Sequence, residues 1–448
     1  MYRVVRTVLK QKKVPGLYEY LEHHMHLSTN LYNAALYRIR QNFTSRKKEH
    51  LTENELEVQH EIEETLELCP HLSRPKAVLS YRFLERMMRV TDNPDFFAGL
   101  PSQTAEECQK TAVRDFNSWL ASLKEYKKHP EKYLGKPKMP HYKKKRSVST
   151  VTFTNQGCTI KEGNILRFAL TNETVHLPYQ PEGRLKEVKV KPYYGDLLLT
   201  CTFECPDMED KAEGSGICAI DLGIENTAAI VSNSGDCWLY KGGVLKEKNQ
   251  WYNKQLARLK SIAMKGHDSK EAVKLGLTDT RQIQRLHQKR DLFFRDAMHK
   301  ISSRIIQECI DHGITTIVIG VNKLWKQNVN LGKNTQSFVQ MPTHQLRKMI
   351  TYKAERVGIE VIDQEESYTS KADLTAGDYI PTYGVDDEKA KFSGTRIKRG
   401  LYRNRDGNVF NADLIGAGNI LRKRFPAVFS KTTDFSFLQN IKVIQVFP

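Results

Sequence analysis

The sequence predicts a multidomain chain that is α+β in its first half and α/β in its second. Three observations support this fold class. Apolar residues recur at helical spacings between residues 14 and 128. Between residues 148 and 205 they alternate with polar residues in short runs, as in antiparallel strands. Beyond residue 216, strand-like and helix-like segments follow one another, which is typical of an α/β domain.

The composition predicts a polyanionic partner. The chain has 448 residues, with 70 lysines and arginines against 52 acidic residues and a net charge of +18. A basic but otherwise ordinary protein is the alternative. No run approaches the roughly 18 apolar residues of a membrane span, and the N-terminal residues lack the apolar core of a secretory signal. We therefore expect a cytoplasmic protein with no membrane partner.

The first half divides into three predicted segments. Residues 1–10 form the first strand of a small β-barrel domain, residues 11–125 a helical domain, and residues 126–212 a basic linker with the other strands of the barrel. The clearest helix spans residues 102–128, with Ser102 as its predicted N-cap. Its apolar positions follow helical spacing and predict a core-facing stripe: Ala105, Cys108, Ala112, Phe116, Trp119 and Leu123.

The linker, residues 127–146, is rich in proline and lysine and cannot form a regular element. In so cationic a chain we expect it to contact nucleic acid, with an interleaved tyrosine stacking on bases. Solvated lysines that bind nothing are the alternative. The predicted contact residues are Lys136, Lys138, Tyr142, Lys143, Lys144, Lys145 and Arg146.

The second half, residues 213–430, has the element order of an RNase H-like domain, and residues 431–448 are predicted to be a C-terminal tail. Three strands precede a long helical region. A fourth strand, a helix, a fifth strand and a final helix follow. Nucleases with this fold place carboxylates at strand ends and on the last helix, around two metal ions.

Two aspartates have such positions. Asp221 ends the first apolar strand, and Asp413 lies at the start of the final helix. Each is either a metal ligand or a turn or helix-capping residue. Gly416 and Gly418 would let the final helix approach the sheet closely and bring the two aspartates together.

The third carboxylate is less obvious from the residues alone. The fourth strand ends in Gly320, with no acid beside it, whereas the fifth ends in Glu365 and Glu366. A glutamate there is displaced by one inter-strand spacing of about 4.8 Å, and adjacent residues of a strand face opposite sides. The spacing leaves either glutamate possible. Asp373 and Asp378 could supply a fourth ligand, although turns are favoured.

Residues 394–408 are strongly basic and lie just before Asp413, so we expect a loop that contacts phosphates. A solvated charged loop is the alternative. The predicted contact residues are Arg396, Lys398, Arg399, Arg403 and Arg405.

Several blocks of the sequence resemble the TnpB family, the nucleases encoded by insertion sequences and related to type V CRISPR effectors. The blocks are LPSQTAEECQKTAVRDF, GKPKMPHYKKK, DLGIENTA, IGVNKLWKQNVNLGKNTQSFVQMP, YKAERVGIEVIDQEESYTSKA and FSGTRIKRGLYRNRDGNVFNADLIGAGNILRK. They cover most of residues 100–424, whereas residues 11–97 match only loosely.

The resemblance implies a RuvC nuclease domain preceded by a recognition lobe and a wedge-like barrel. It implies a guide RNA, a double-stranded DNA target with a short adjacent motif, and cleavage with two Mg²⁺ ions. Asp221 and Asp413 match the family's first and last aspartates. The subgroup that this sequence resembles has a Glu-x-Tyr-Thr-Ser arrangement, which selects Glu366 as the third ligand.

The chain departs from more familiar members of the family in lacking their zinc ribbon. Its eight cysteines form no CxxC pair, so we expect no zinc and reduced structural thiols. Two alternatives to a guided nuclease stay open: a guided DNA-binding protein without cleavage, and a transposase that needs no guide. We expect a prokaryotic protein that is nucleoid-associated when bound to DNA. The oligomeric state is open, with a monomer slightly favoured.

Overall fold

A computed structural model describes the chain except for residues 47, 207–211, 323–339, 431 and 448. Most of the block between Ile319 and Pro342, and part of the acidic segment near residue 210, therefore lie outside the described residues. The chain divides into two compact units, residues 1–206 and residues 207–448. Among the described helices, none combines the length and the apolar content needed to cross a bilayer.

The first unit contains four helices: α1 (Pro15–Ser45), α2 (Glu53–Leu68), α3 (Tyr81–Val90) and α4 (Ser102–Lys128). The expected stripe on α4 is buried from Ala105 to Phe116. Ser102, however, is not the N-cap. Pro101 occupies that position with extended ψ, and no side chain caps the helix. A capping residue needs non-helical backbone angles, and Ser102 already lies inside the helix.

The strands of the first unit form two sheets. They are β1 (Tyr2–Leu9), β2 (Val151–Thr154), β3 (Cys158–Lys161), β4 (Ile165–Phe168), β5 (Thr174–His176), β6 (Arg184–Tyr193) and β7 (Asp196–Glu204). One sheet has the order β1-β7-β6-β2 and the other β3-β4-β5. Both contribute to one core, but among the described strands no pairing joins the sheets or closes a barrel.

The second unit follows the predicted alternation of strands and helices. Its elements are β8 (Gly216–Asp221), β9 (Asn226–Ser232), β10 (Cys237–Lys241), α5 (Gly243–Ala263), α6 (Ser269–Lys274), α7 (Arg281–Asp311), β11 (Ile314–Val321), α8 (Thr343–Arg356), β12 (Glu360–Glu365), β13 (Thr395–Lys398), β14 (Leu401–Arg403), β15 (Val409–Asn411), α9 (Ala412–Arg424) and β16 (Lys442–Ile444).

Six of these strands form one mixed sheet in the order β12-β11-β8-β9-β10-β16. Strand β11 runs parallel to β8 and β12, and Ile319 pairs with Ile220 on one side and Asp363 on the other. The segment expected to be a tail contributes β16, which runs parallel to β10 at the edge. Nearby, Lys442 forms an ion pair with the buried Glu308 at 2.7 Å.

Helix α9 packs on one face of this sheet. Its apolar side chains, such as Leu414 and Ile415, share a cluster with Ala229 of β9, and Ile420 packs with Val318 of β11. The final helix therefore lies across the strand ends that carry the predicted ligands.

The basic segment before α9 is not the expected loop. Residues 395–411 form a three-stranded antiparallel sheet, β13-β14-β15. Tyr402, in the middle strand, is fully buried and donates a hydrogen bond to the carbonyl of Lys371 at 2.9 Å. Its neighbours Leu401 and Arg403 are exposed, whereas Phe410, its partner on β15, is buried with it.

Candidate functional site

Asp221 is the last residue of β8, and its carboxylate lies directly beneath α9. A Cβ atom built on Gly416 would be 2.6 Å from Oδ2 of Asp221. Such a contact is too short for any residue with a side chain, so Gly416 is what allows the helix to approach the carboxylate this closely. Gly418 has another role, because its Cβ would meet Leu374.

Asp413 lies in the first turn of α9 and does not cap it. The capping residue is Asn411, whose side-chain oxygen accepts hydrogen bonds from the backbone N–H groups of Asp413 and Leu414 at 3.0 and 3.3 Å. The carboxylate of Asp413 is consequently free of the capping role that the sequence left possible. It accepts a hydrogen bond from the side-chain amide of Asn226 at 2.7 Å.

Asn226 is a residue of the site that the sequence analysis missed. It begins β9 and is buried, with 6% of its surface exposed. The strand NTAAIVS is otherwise almost wholly apolar, so a polar residue at its start was the available clue. A buried amide needs a hydrogen-bond partner, and Oδ2 of Asp413 supplies it.

Arg396 of β13 contacts the other oxygen of Asp413. Its guanidinium lies 3.4 Å from Oδ1 and also donates to the backbone carbonyl of Arg399, from Nε at 3.0 Å. Of the five predicted basic residues of this segment, Arg396 is the one that the described contacts place on a predicted ligand.

Glu366 follows directly after β12 and extends back across β11. A Cβ atom built on Gly320 would be 2.5 Å from Oε2 of Glu366. Gly320 lies one residue beyond Ile319, which pairs with Ile220 on β8. The carboxylate of Glu366 thus lies over the strand that separates β12 from β8.

Glu365 faces a different environment. Its Oε2 accepts a hydrogen bond from Lys423 at 2.6 Å, and Oε1 accepts one from the backbone N–H of Ser367, also at 2.6 Å. Although burial acts to raise it, these interactions lower the pKa of Glu365 below its ordinary value. Glu365 is therefore engaged in an ion pair, and it is not the carboxylate that lies against Gly320.

A tight turn sets the direction of Glu366. Tyr368 has φ of 62°, a left-handed conformation that is unusual for a bulky residue. The hydroxyl of Thr369 donates to the carbonyl of Glu366 at 2.8 Å. Asn419 of α9 donates to the carbonyls of Thr369 and Ala372 at 2.8 and 2.7 Å. The turn is thereby joined to the helix that carries Asp413.

The carboxylates interact electrostatically. Burial raises the pKa of Asp221 well above its ordinary value, and the carboxylates of Glu366 and Asp413 raise it further, while Arg396 lowers it. Burial, followed by the charge of Glu365, raises the pKa of Glu366 to about 7. Two other acids, Glu366 and Asp413, therefore lie near enough to Asp221 to influence its proton affinity.

The chemistry of these donors fits a divalent ion such as Mg²⁺. This ion prefers carboxylate oxygens and usually keeps several waters, so one or two carboxylates per ion suffice. The acids are not, however, gathered into a closed ligand cage. Within the described ranges, no three His, Cys, Asp or Glu side chains are grouped so that they could hold one ion.

Asp373 and Asp378 occupy turns. The carboxylate of Asp373 is completely buried and accepts hydrogen bonds from the backbone N–H groups of Thr375 and Arg405 at 2.9 and 2.8 Å. Asp378 accepts from the backbone N–H groups of Asp373 and Ser393 at 2.9 and 2.8 Å. Both acids stabilise the segment between β12 and β15.

The predicted contact residues of the linker are mostly exposed: Lys136, Lys138, Lys144, Lys145 and Arg146. Two others have partners within the first unit. The ring of Tyr142 stacks with the guanidinium of Arg40, 4.7 Å from the ring centroid. Lys143 lies over the ring of Tyr32 at 3.7 Å, and burial lowers its pKa.

The basic residues of the second unit lie on the three-stranded sheet described above. Lys398, Arg399, Arg403 and Arg405 are exposed there, so their charges are accessible to a partner from solvent.

Two protein families match stretches of the chain that together cover most of the second unit. The OrfB_IS605 family, described as a probable transposase, matches residues 200–326, and the Cas12f1-like TNB domain matches residues 344–420. The TnpB-like protein ORF457 of Acidianus two-tailed virus is 27% identical over 223 residues. That match covers 49% of this chain and 44% of the viral protein, so this chain matches less than half of its relative's length.

Two solved structures are similar at low sequence identity. One is a complex of Cas12f1 with single-guide RNA and target DNA, at 14% identity and a TM-score of 0.48, covering 90% of this chain and 82% of that one. The other is the mini RNA-guided endonuclease CRISPR-Cas phi3, at 10% identity and a TM-score of 0.48, covering 96% and 92%.

The first matched stretch contains Asp221, and the second contains Glu366 and Asp413. The viral relative is a TnpB-like protein. Over these stretches the chain is similar to proteins of the TnpB family.

Proposed function

We propose that the protein is an RNA-guided DNA endonuclease of a transposable element, which hydrolyses phosphodiester bonds by a two-metal mechanism. The observation that supports this proposal is that Glu366, directly after β12, and Asp413, in the first turn of α9, both raise the pKa of Asp221 at the end of β8. Gly416 and Gly320 leave room for the carboxylates of Asp221 and Glu366, and the side-chain amide of Asn226 donates a hydrogen bond to Asp413.

The sheet supports the assignment of this unit as an RNase H-like RuvC domain. Three antiparallel strands are followed by two strands that run parallel to the first, giving the order fifth-fourth-first-second-third, with β16 added at the edge. In this arrangement the first strand is central. Asp221 lies at its end, Glu366 follows the strand beyond its neighbour β11, and Asp413 lies on the helix packed over it.

Asp221, Glu366 and Asp413 would hold the metal ions in this proposal. Bound Mg²⁺ would supply an activated water and charge stabilisation of the leaving oxygen. Asn226 fixes the orientation of Asp413 by its hydrogen bond to Oδ2. Arg396, whose side chain is 39% exposed, is positioned to exchange its contact with Asp413 for a backbone phosphate.

Guide RNA and target DNA are the partners that fit the charge of the chain. The exposed lysines of the linker, from Lys136 to Arg146, and the arginines of the three-stranded sheet present cations to solvent. Contacts to phosphates provide affinity without sequence information. In this proposal, sequence is therefore read by guide pairing, together with recognition of a short adjacent motif by the protein.

The test is the loss of cleavage without the loss of binding. Asp221→Ala and Asp413→Ala, purified with guide RNA, should bind target DNA like the unsubstituted protein and fail to cut it. Asp311→Ala is a matched control, because that exposed aspartate ends α7 outside the candidate site. Undiminished cutting by either site variant would refute the assignment.

Sequencing RNA that copurifies with the protein separates the remaining alternatives. A uniform RNA species with variable 3′ ends is expected of a guided protein. Its absence would favour a transposase that acts without a guide. Guided binding by the unsubstituted protein with no cutting in Mg²⁺ would favour a binding protein without cleavage.

A further inference from the structure

We propose that Gly320 is a positioning residue of the site, because its missing side chain leaves the space into which Glu366 extends. The inference deepens the proposed function, and its activity measurements rest on that function.

The geometry around Gly320 is specific. A Cβ atom at this position would lie 2.5 Å from Oε2 of Glu366 and 2.5 Å from Cδ1 of Ile420 on α9. Ordinary van der Waals contact begins near 3.4 Å, so an added methyl group would displace the carboxylate, the Ile420 side chain or both by about 1 Å.

The strand register explains why this position matters. Gly320 pairs with Gln364 on β12, so the chain reaches Glu366 two residues later. On the other side of β11, Ile319 pairs with Ile220 of β8. The next residue on each strand is Gly320 and Asp221, so these two residues are neighbours at the end of the pairing. The carboxylate of Glu366 therefore crosses β11 at the one residue that has no side chain to block it.

The backbone that carries this carboxylate is held in place. The turn that begins at Glu366 is stabilised by the hydrogen bond from the Thr369 hydroxyl to the carbonyl of Glu366. Asn419 adds two hydrogen bonds to carbonyls of the same turn and the residues after it. With its backbone held, Glu366 moves away from an added Cβ by rotating its side chain, which shifts the carboxylate oxygen that now lies beside Gly320. A misplacement of about 1 Å can reduce a catalytic rate by about 100-fold.

An aspartate at residue 320 should substitute for the glutamate. The carboxylate oxygens of an aspartate lie about 2.4 Å from its own Cβ by bond lengths, and Oε2 of Glu366 lies 2.5 Å from the Cβ position of residue 320. The double variant Gly320→Asp/Glu366→Ala would thus return an oxygen to nearly the same place from the other strand.

The experiment uses the full chain with its guide RNA and measures single-turnover cleavage, Mn²⁺ binding by electron paramagnetic resonance, and Tm. Gly320→Ala should cut about 100-fold more slowly and bind Mn²⁺ more weakly. Glu366→Ala should do the same, and Gly320→Asp/Glu366→Ala should recover at least tenfold of either loss. Gly243→Ala is the control, because a Cβ there meets no atom within 4 Å.

A further variant separates the two contacts. Ile420→Val removes the Cδ1 atom that also meets residue 320, so Gly320→Ala/Ile420→Val keeps only the conflict with Glu366. We expect this variant to remain defective. Recovery would show that packing against α9 is the cause and would overturn the inference.

Two other results would also overturn it. One is full cleavage and full Mn²⁺ binding by Gly320→Ala. The other is a Gly320→Asp/Glu366→Ala variant that has the same Tm as the Gly243→Ala control and is nevertheless as inactive as Glu366→Ala. Failure of the proposed function looks different. If the unsubstituted protein does not cut guided DNA, Mn²⁺ binding by the same variants still decides whether Gly320 positions the carboxylate.

Discussion

Replacing Glu366 with glutamine should stabilise the metal-free protein at pH values above 4.5, the ordinary pKa of a glutamate. Burial and the neighbouring charge of Glu365 raise the pKa of Glu366 from 4.5 to about 7. The ionised carboxylate is therefore disfavoured in the folded state. At 1.36 kcal/mol per pKa unit, this cost to the free energy of unfolding is at most about 3 kcal/mol.

The sign and the pH window follow from the two pKa values. Below pH 4.5 the side chain is protonated whether the chain is folded or unfolded, and there is no cost. Between pH 4.5 and about 7 only the unfolded chain ionises fully, so the stability of the unsubstituted protein falls through this range and then levels off. Glutamine cannot ionise, so the advantage of Glu366→Gln grows through this window.

The assay is thermal unfolding in EDTA at pH 5 and pH 8. For a unit of this size, about 3 kcal/mol corresponds to a difference in Tm of up to roughly 10 °C. The difference between Glu366→Gln and the unsubstituted protein should be larger at pH 8 than at pH 5. Glu365→Gln is the control with the opposite sign, because the interaction with Lys423 lowers the pKa of Glu365. A Tm difference for Glu366→Gln that does not change with pH would refute the reasoning.

Three further predictions concern cleavage. Glu366→Gln should nearly abolish guided cleavage in Mg²⁺, whereas Glu365→Gln should have a milder effect; the reverse order in a cleavage time course would exchange their roles. Gly416→Ala should slow cleavage about 100-fold, since its Cβ would lie 2.6 Å from Oδ2 of Asp221, and unchanged rates would argue against a rigid approach of the helix. Asn226→Ala should lower metal affinity or rate by roughly 10- to 100-fold through loss of the hydrogen bond that orients its carboxylate, which a Mn²⁺ titration would detect.

The order of elements in the second unit could be predicted because hydrophobic periodicity is local. The apolar run that ends at Asp221 and the amphipathic pattern of the final helix predict their own structures. Closure of a barrel in the first half could not be predicted in this way. Periodicity shows which face of a strand is buried, but it does not show which strands pair, and the structure forms two sheets instead.

The misses at the candidate site have a common physical cause. The role of Asn226 depends on a partner 187 residues away in the sequence. The three-stranded sheet buries Tyr402 and its partner Phe410 in the core of the unit, a tertiary contact that the charged local composition did not indicate, and a loop was predicted there. The assignment of Glu366 as a ligand stays a prediction, although the structure shows how its carboxylate reaches across β11.

The last strand has a practical consequence for handling the protein. Because β16 covers the open edge of β10, trimming the chain after α9 would expose unpaired backbone groups of that strand. It would also remove Lys442, one of the ion-pair partners of the buried Glu308 on α7, and leave Arg304 as a remaining partner. Versions of the protein that end after α9 should therefore aggregate. Affinity tags at this end need a spacer long enough to leave β16 paired with β10.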